Sequence, residues 1–508
     1  MEGREVRRAL SAAGILFLLA GIAKATEAPP GGEDPGVWTS PRGNPSGQAR
    51  CRLPAGVAGA VSGIAEWQFR NKSQRRYRSG LAVWASPALA AVDGRPMAFI
   101  GGYDQTLHAL DLAARERAWF KITNGVISEA PAVGRVEGLP VVFWGSSDRT
   151  IYAHRAADGR RLWTQELEPP SSTQDEAEMS APLLHGGRLY ITCFVYDRAL
   201  TRNRQKAWLY ALDQASGRIA WRVEVSQGPV SSPAGIEIGG RLHLFVAARK
   251  GLLQAFEAGE GEKAPRRLWT FQMPHEVMGS PVLDDGPGGP LLFLGSKFGN
   301  LIAIDARTGR ERWQRMAGNW IDNSACVGLA GGERAVFVGS HDYHVYAFRT
   351  SDGAELWRRR LGGEVHSAPC HFRQRGKDMV AVASLDNHVY VLDARDGSLI
   401  TAYATGQPIW DKVAKGDTLW GSPAALESGP EAALVYGSFD DTVYVLPIAG
   451  ECSLRSMARS AGGLWASLGI VMALFLGVAL PLVLLPGRRR ARKPAVDAKA
   501  KVQEPLAR

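Results

Sequence analysis

Five of the chain's ten histidines, His341, His344, His366, His371 and His388, crowd one stretch of sequence. Imidazole is a common ligand for zinc and its relatives and titrates near neutral pH, so such a crowd is where a metal or a pH-sensitive patch would be sought. Carboxylates stand among them, Asp342 in "GSHDYHVYAF" and Asp386 in "SLDNHVYVL". A site usually occurs once, whereas a structural unit recurs. Asp342 has counterparts at Asp104, Asp148, Asp386 and Asp440, and His344 and His388 occupy one repeat position. A carboxylate repeated in this way is a turn former that accepts hydrogen bonds from nearby backbone amides. The histidines at repeated positions are expected to serve the framework, and no metal site is predicted.

That framework is legible. "FIGGYDQTLHALDLAARERAW", "FWGSSDRTIYAHRAADGRRLW", "FLGSKFGNLIAIDARTGRERW" and "VFVGSHDYHVYAFRTSDGAELW" end at Trp119, Trp163, Trp313 and Trp357, and looser copies end at Trp221 and Trp269. Trp269, Trp313 and Trp357 are 44 residues apart in turn, and a further step reaches Thr401. Ahead of each copy lies a marker ending in Pro87, Pro131, Pro182, Pro233, Pro281, Pro369 or Pro423, with Ala325 in the remaining one, which makes eight units. Each unit reads as four short strands, because Val, Tyr, Phe and Ile alternate between clusters of Asp, Gly, Ser and Asn. Units of this length and strand count are the blades of a β-propeller, each stable only between neighbours. The fold expected is all-β: an eight-bladed propeller of four-stranded antiparallel blades over residues 64–450.

The eighth unit, "VYGSFDDTVYVLPI", stops after its third strand, while "IAEWQF" around Trp67 stands as a strand with no blade before it. Trp67 is therefore expected to complete blade eight, leaving no exposed edge. The tryptophans at 67, 119, 163, 221, 269, 313 and 357 are expected to pack between blades. The residues just ahead of the markers open the innermost strands near the mouth of the central funnel, and there the sequence varies: Trp84, Glu129, Met179, Asp322, Asn323, His366 and Trp420. Aromatic and charged groups converging on a concave mouth are what a binding site needs; a hydrated rim is the plainer alternative.

The segments "LIAIDARTGRERW" and "VYVLDARDGSL", with "WTSPRGNPSGQARCRLP" ahead of the first blade, resemble the pyrroloquinoline-quinone-like (quinoprotein-like) propeller family over roughly residues 38–448. That resemblance implies either a calcium-dependent dehydrogenase of alcohols or sugars, or a non-enzymatic scaffold of the outer-membrane assembly type. For the dehydrogenase, Glu129, Asp322 and Asn323 offer oxygen ligands suited to calcium beside pyrroloquinoline quinone. There is no Cys-Cys pair and no Cys-x-x-Cys-His for a c-type haem. Phosphate-cradling loops, nucleophile elbows and zinc-protease helices are also missing from the sequence. The reading adopted is a scaffold without a cofactor, with the quinone and calcium enzyme as the alternative.

The ends of the chain concern location. Arg4, Arg7 and Arg8 precede an apolar run and "AKA", which reads as a signal peptide over residues 1–25, with an uncleaved anchor as the alternative. Residues 26–63 form an N-terminal lead-in. A linker at 451–463 leads to "LWASLGIVMALFLGVALPLVLL", residues 464–485, long enough to cross a bilayer as one helix. The basic tail at 486–508 that follows places that side in the cytoplasm and the propeller outside, in a periplasm or a lumenal or extracellular space. Residues 488–508 carry a net +6 and residues 1–25 a net +2 of the formal +10, so the exported part is close to neutral and nucleic acid is not expected as a partner.

Five cysteines in an exported chain invite pairing. Cys51 and Cys452 flank the seam that Trp67 closes, and a Cys51–Cys452 disulfide would lock it with about 5 kcal/mol in the loop-entropy account. The alternative leaves both free. Cys193, Cys326 and Cys370 read as buried thiols. Long polar connectors interrupt the repeat, "VYDRALTRNRQKAW", "EPPSSTQDEAEM" and "TGQPIWDKVAKGDTLW". The last, with Trp410, Asp411, Lys412 and Lys415, mixes aromatic and charged groups as binding loops do. A protein or polysaccharide partner on the exported side is expected.

Overall fold

A computed structural model describes residues 50–52, 67–70, 85–167, 176–196, 206–404, 421–428, 431–437 and 442–448. These residues form eight sheets, antiparallel but for one added strand, each built from strands consecutive in sequence except for the one that closes the ring. Blade six shows the plan: Cys326–Ala330, Glu333–Gly339, His344–Arg349 and Glu355–Arg360 pair in that order. The first strands of successive blades neighbour one another around the axis, and Ala88–Val92 of blade one meets Ala424–Ser428 of blade eight, closing the circle. In blade three the first strand is split into Glu176–Met179 and Leu183–His185, both paired with the long strand Arg188–Tyr196.

The seam closes as the sequence requires. Trp67–Arg70 pairs antiparallel with Thr442–Pro447, Trp67 opposite Val445, and so supplies the fourth strand of blade eight. The lead-in adds what the sequence did not suggest: Arg50–Arg52 runs parallel to Ala424–Ser428, Cys51 opposite Leu426, as a fifth strand on the axial side. The signal peptide, the linker, the apolar segment 464–485 and the basic tail lie outside the described residues. So do Cys452, and with it the Cys51–Cys452 pairing, and Asp440. Among the described residues no helix is long and apolar enough to cross a membrane.

Among the described residues, blades one to six each carry a tryptophan on the fourth strand that packs into the sheet, and Thr401 takes its place in blade seven. Trp119, Trp163, Trp221, Trp269, Trp313 and Trp357 each face an alanine of the third strand, and each tilts against an aromatic ring of the second with centroids 5.6–5.9 Å apart. The small partner leaves room for the indole. In five of them the indole Nε1 then donates across the blade boundary: Trp119 to Ala156 O, Trp163 to Gln214 O, Trp269 to Ala306 O, Trp313 to Thr350 O and Trp357 to Ala394 O, at 2.8–3.1 Å. The same turn of the next blade lays a glycine on the ring, such as Gly353 on Trp313, with φ +70° and space for no Cβ.

The markers form a second belt. The backbone N–H of Ala181, Ser232, Ser280, Ala368 and Ser422 donates to the hydroxyl of Ser232, Ser280, Ser324, Ser422 and Ser86 respectively, always from one blade's marker to the next, at 2.8–3.2 Å. A buried backbone donor without an acceptor is costly, so the serine of the marker satisfies the neighbouring blade where no strand can.

Candidate functional site

Strand direction alternates within a blade, so the turn between second and third strands lies on the same face as the connector from the fourth strand to the next blade. The backbone ties the two together at every junction of the central blades. In blade six, His341 N–H donates to Trp320 O at 3.0 Å, and Val365 N–H donates to Ser340 O at 3.1 Å, so the turn at 340–343 is held between the connectors on either side of it. Asp342 braces this turn: its carboxylate accepts from the amides of His344 and Gly318 and from the Tyr346 hydroxyl. Burial works against ionisation there, but those hydrogen bonds hold the carboxyl below its usual range. Asp104, Asp148 and Asp386 make the corresponding turn contacts.

The five clustered histidines then separate by role. His344 and His388 each donate from Nδ1 to the carbonyl of the turn aspartate, Asp342 and Asp386, at 2.9 Å. His371 is buried at the seam of blades six and seven, where its Nε2 accepts from Leu329 N–H at 3.2 Å and its ring covers Gly328. His341 and His366 stack, ring centroids 3.8 Å apart and 27° from parallel.

Asp322, from the connector into blade six, meets this pair: His341 Nε2 lies 2.8 Å from Asp322 Oδ1, and His366 Nδ1 lies 3.8 Å from Asp322 Oδ2. Glu364 Oε2 lies 2.8 Å from His366 Nε2, and the ionised carboxylate accepts from the N–H there. Asp322, His341 and His366 are each about nine-tenths or more buried. Burial holds the His366 imidazole below its usual pKa, against the pull of Asp322. Trp320 lies over His341 with centroids 5.5 Å apart, and Lys297 Nζ sits 5.0 Å above the Trp320 ring.

The funnel-mouth residues thus divide. Asp322 and His366 come together with His341, a meeting hidden from the sequence because the histidine crowd and the marker-flanking positions belong to different parts of the repeat. The useful signal was a comparison by position. Where blade six has His341, other blades have Ser147, Lys297 and Leu385; where Asp322 and His366 stand ahead of their markers, others have Ser128, Met179, Val230 and Met278. Trp84 and Trp420, with Trp410, Asp411, Lys412 and Lys415 of the long connector, lie outside the described residues.

Glu129 and Met179 line a different cavity, about 40 Å³, with Glu178, Arg249, Ser232 and Ser280. Glu178 and Arg249 pair there at 3.0 Å. Asp322 and Asn323 do not line it, and both ends of the Asn323 amide are engaged: Nδ2 donates to His366 O at 2.7 Å and Oδ1 accepts from Ser324 N–H at 2.8 Å. Cofactor pockets run to roughly 300 Å³ or more. Glu129 is thus parted from Asp322 and Asn323, the other two oxygen donors weighed for calcium, and this cavity is smaller than such a pocket. On the opposite face a depression of about 360 Å³ between blades six and seven is lined by Arg373, Lys377, Arg395, Asp378 and Asp393, charges of both signs. Cys193, Cys326 and Cys370 are buried thiols outside any disulfide, and burial pushes the Cys193 thiol up to about 12.

Solved structures share the fold. The chain superposes on the quinohemoprotein alcohol dehydrogenase from Comamonas testosteroni with a TM-score of 0.60 at 11% identity, covering 82% of this chain and 81% of that one. It superposes on Sqt1 from Saccharomyces cerevisiae with a TM-score of 0.56 at 11% identity, covering 76% and 99%. At such identities the likeness is one of fold alone. By sequence, stretches are 29% and 34% identical to the serine/threonine-protein kinases AfsK of Streptomyces griseus and Streptomyces coelicolor, covering 27% and 24% of this chain. The matched stretches span only 16% and 14% of those kinases. The family described as outer membrane protein assembly factor BamB matches over residues 57–193, 147–319 and 297–455. Those overlapping matches cover most of the chain, which belongs to that family of pyrroloquinoline-quinone-like propellers.

Proposed function

We propose that the chain is an exported binding scaffold, carried out of the cytoplasm by residues 1–25, anchored by residues 464–485, and docking a protein partner on the connector face of blades five and six. The observation that carries this reading is a set of exposed rings: Phe298 at 62%, Trp320 at 39% and Tyr343 at 38%. Most large apolar side chains of the propeller are buried, so aromatic rings spent on solvent are what interfaces use as anchors. Tyr343 holds φ of +75° at the turn position where other blades have Gln105, Arg149, Gly299 and Asn387, and Phe298, which stands at the repeat position of Asp342, holds the same φ. A bulky ring in the left-handed region costs stability that an asparagine or glycine would largely save, so its retention asks for a use outside the fold. Arg360 lies over Tyr343 at 5.7 Å and Lys297 over Trp320, which gives the patch a cationic border.

The family's non-enzymatic branch supports the same reading. A photo-crosslinking residue placed at 298, 320 or 343 in cells tests it, with Leu399, exposed at 44% on a fourth strand, as control. The expected result is one protein adduct of constant mass from the three positions and none from 399. Adducts equally frequent at 399, or none at any position, would sink the proposal. A heterogeneous carbohydrate-bearing adduct would replace the protein partner by a polysaccharide.

A further inference from the structure

We propose that Asp322, His341 and His366 bind one divalent transition-metal ion of the zinc class at the junction of blades six and seven, with Glu364 as the carboxylate that orients His366. The site goes beyond the docking reading and stands or falls independently of it. The donor atoms offered by the three residues lie within 4.8 Å of one another. A tetrahedral ion with bonds of about 2.0–2.1 Å separates its ligands by about 3.3 Å, so the 2.8 Å and 3.8 Å spacings already bracket the edge, and side-chain adjustment of ångström scale closes it.

Three further observations point to a cation. Asp322 Oδ1 and His341 Nε2 are buried and 2.8 Å apart, yet neither has a hydrogen bond of acceptable alignment. Buried carboxylate oxygens and imidazole nitrogens are nearly always hydrogen-bonded, and two that face each other without sharing a proton are placed as converging ligands are. Glu364 contacts His366 at Nε2, leaving Nδ1 toward Asp322, which is the carboxylate–histidine arrangement found behind metal-bound imidazoles. Finally, the framework around the site repeats from blade to blade while the three ligand residues coincide at this junction alone among the described ones. Two nitrogens and one carboxylate oxygen suit zinc, cobalt or nickel, whereas calcium and magnesium favour all-oxygen shells.

The test uses the full-length protein in detergent, stripped with chelator and titrated with Zn²⁺ by calorimetry, beside Asp322→Asn, His341→Gln and the control His344→Gln. The expected result is one equivalent bound by wild type and by the control, with affinity lowered more than about a hundredfold in the other two, beyond the roughly ten- to hundredfold that outer-shell changes cost. The wild-type Tm should rise with Zn²⁺ and that of Asp322→Asn should not. Equal binding by Asp322→Asn and wild type, or no stoichiometric binding by wild type, overturns the proposal. Co²⁺ in wild type reads the donors without substitution, so a failure of His341→Gln to fold leaves the question decidable. Bands of nitrogen and oxygen coordination support the site, and thiolate charge transfer overturns it in favour of cysteines.

Discussion

Replacing Gly353 by alanine probes the joint that turns eight sheets into one ring. An added Cβ would stand 2.7 Å from Cδ2 and Cε3 of Trp313, in the preceding blade, at a φ of +70°. The indole cannot withdraw freely, because its Nε1 donates to Thr350 O at 2.8 Å and its face tilts on Phe293 at 5.6 Å. The left-handed backbone costs an alanine about 1–2 kcal/mol, and forcing an extra methyl into a packed contact adds about 1–3 kcal/mol. Gly240→Ala supplies the control: φ is +75° and nothing lies within 4 Å of its Cβ, so only the backbone term applies. Urea unfolding followed by far-ultraviolet circular dichroism should therefore place Gly353→Ala below Gly240→Ala by about 1–3 kcal/mol. In a Trp313→Leu background the difference should shrink toward zero, the coupling a double-mutant cycle isolates. Equal destabilisation by Gly353→Ala and Gly240→Ala would refute that joint.

Replacing Trp67–Arg70 with four glycines should lower the Tm and expose blade eight to proteolysis first, since the strand opposite Thr442–Pro447 is lost; an unchanged Tm would mean that closure is not stabilising. Ser280→Ala removes the acceptor of Ser232 N–H and should cost about 1–3 kcal/mol in the same urea assay. His154 is buried against Trp144, its Nδ1 donating to Gly159 O, and burial depresses its pKa to about 4. The unfolded chain thus binds a proton between about pH 6.5 and 4 that the folded chain refuses, so stability falls as pH drops through that window, by up to roughly 2–3 kcal/mol. His154→Asn, which keeps a donor for Gly159, should flatten that part of the pH profile of Tm.

The fold was legible because its determinants are local and repeated. Alternating apolar residues gave the strands, the spacing of Trp269, Trp313 and Trp357 gave the blade, and a missing fourth strand at one end matched a spare strand at the other. The parallel strand Arg50–Arg52 was not legible, since three residues without alternation carry no periodic signal and their pairing depends on the closed ring. The serine belt was half legible. The markers stand out through their prolines, but the hydroxyl one position earlier is what reaches the neighbouring blade. The pairing of Asp322 with His341 and His366 was not visible, because it is set by a turn clamped between two connectors, and no spacing within one repeat encodes it.

A symmetric framework also gives a rule for telling a brick from a site. Asp342, His344 and His388 are repeated and their hydrogen bonds are repeated with them, so their chemistry is spent inside the fold. The same clamp that positions His341 positions Ser147, Lys297 and Leu385 in other blades, and those residues satisfy nothing in common. What differs at an identical backbone position cannot be explained by the backbone. The departures concentrate on one face: Asp322, His341 and His366 underneath, Phe298, Trp320 and Tyr343 above, joined where Trp320 lies on His341. A metal ion below would fix both connectors and the turn that carry Trp320 and Tyr343, so its loss should loosen the platform before it loosens the ring. Hydrogen exchange with and without Zn²⁺ separates these: protection gained only at residues 318–324, 340–344 and 362–367 fits that order, and uniform gain across all blades contradicts it.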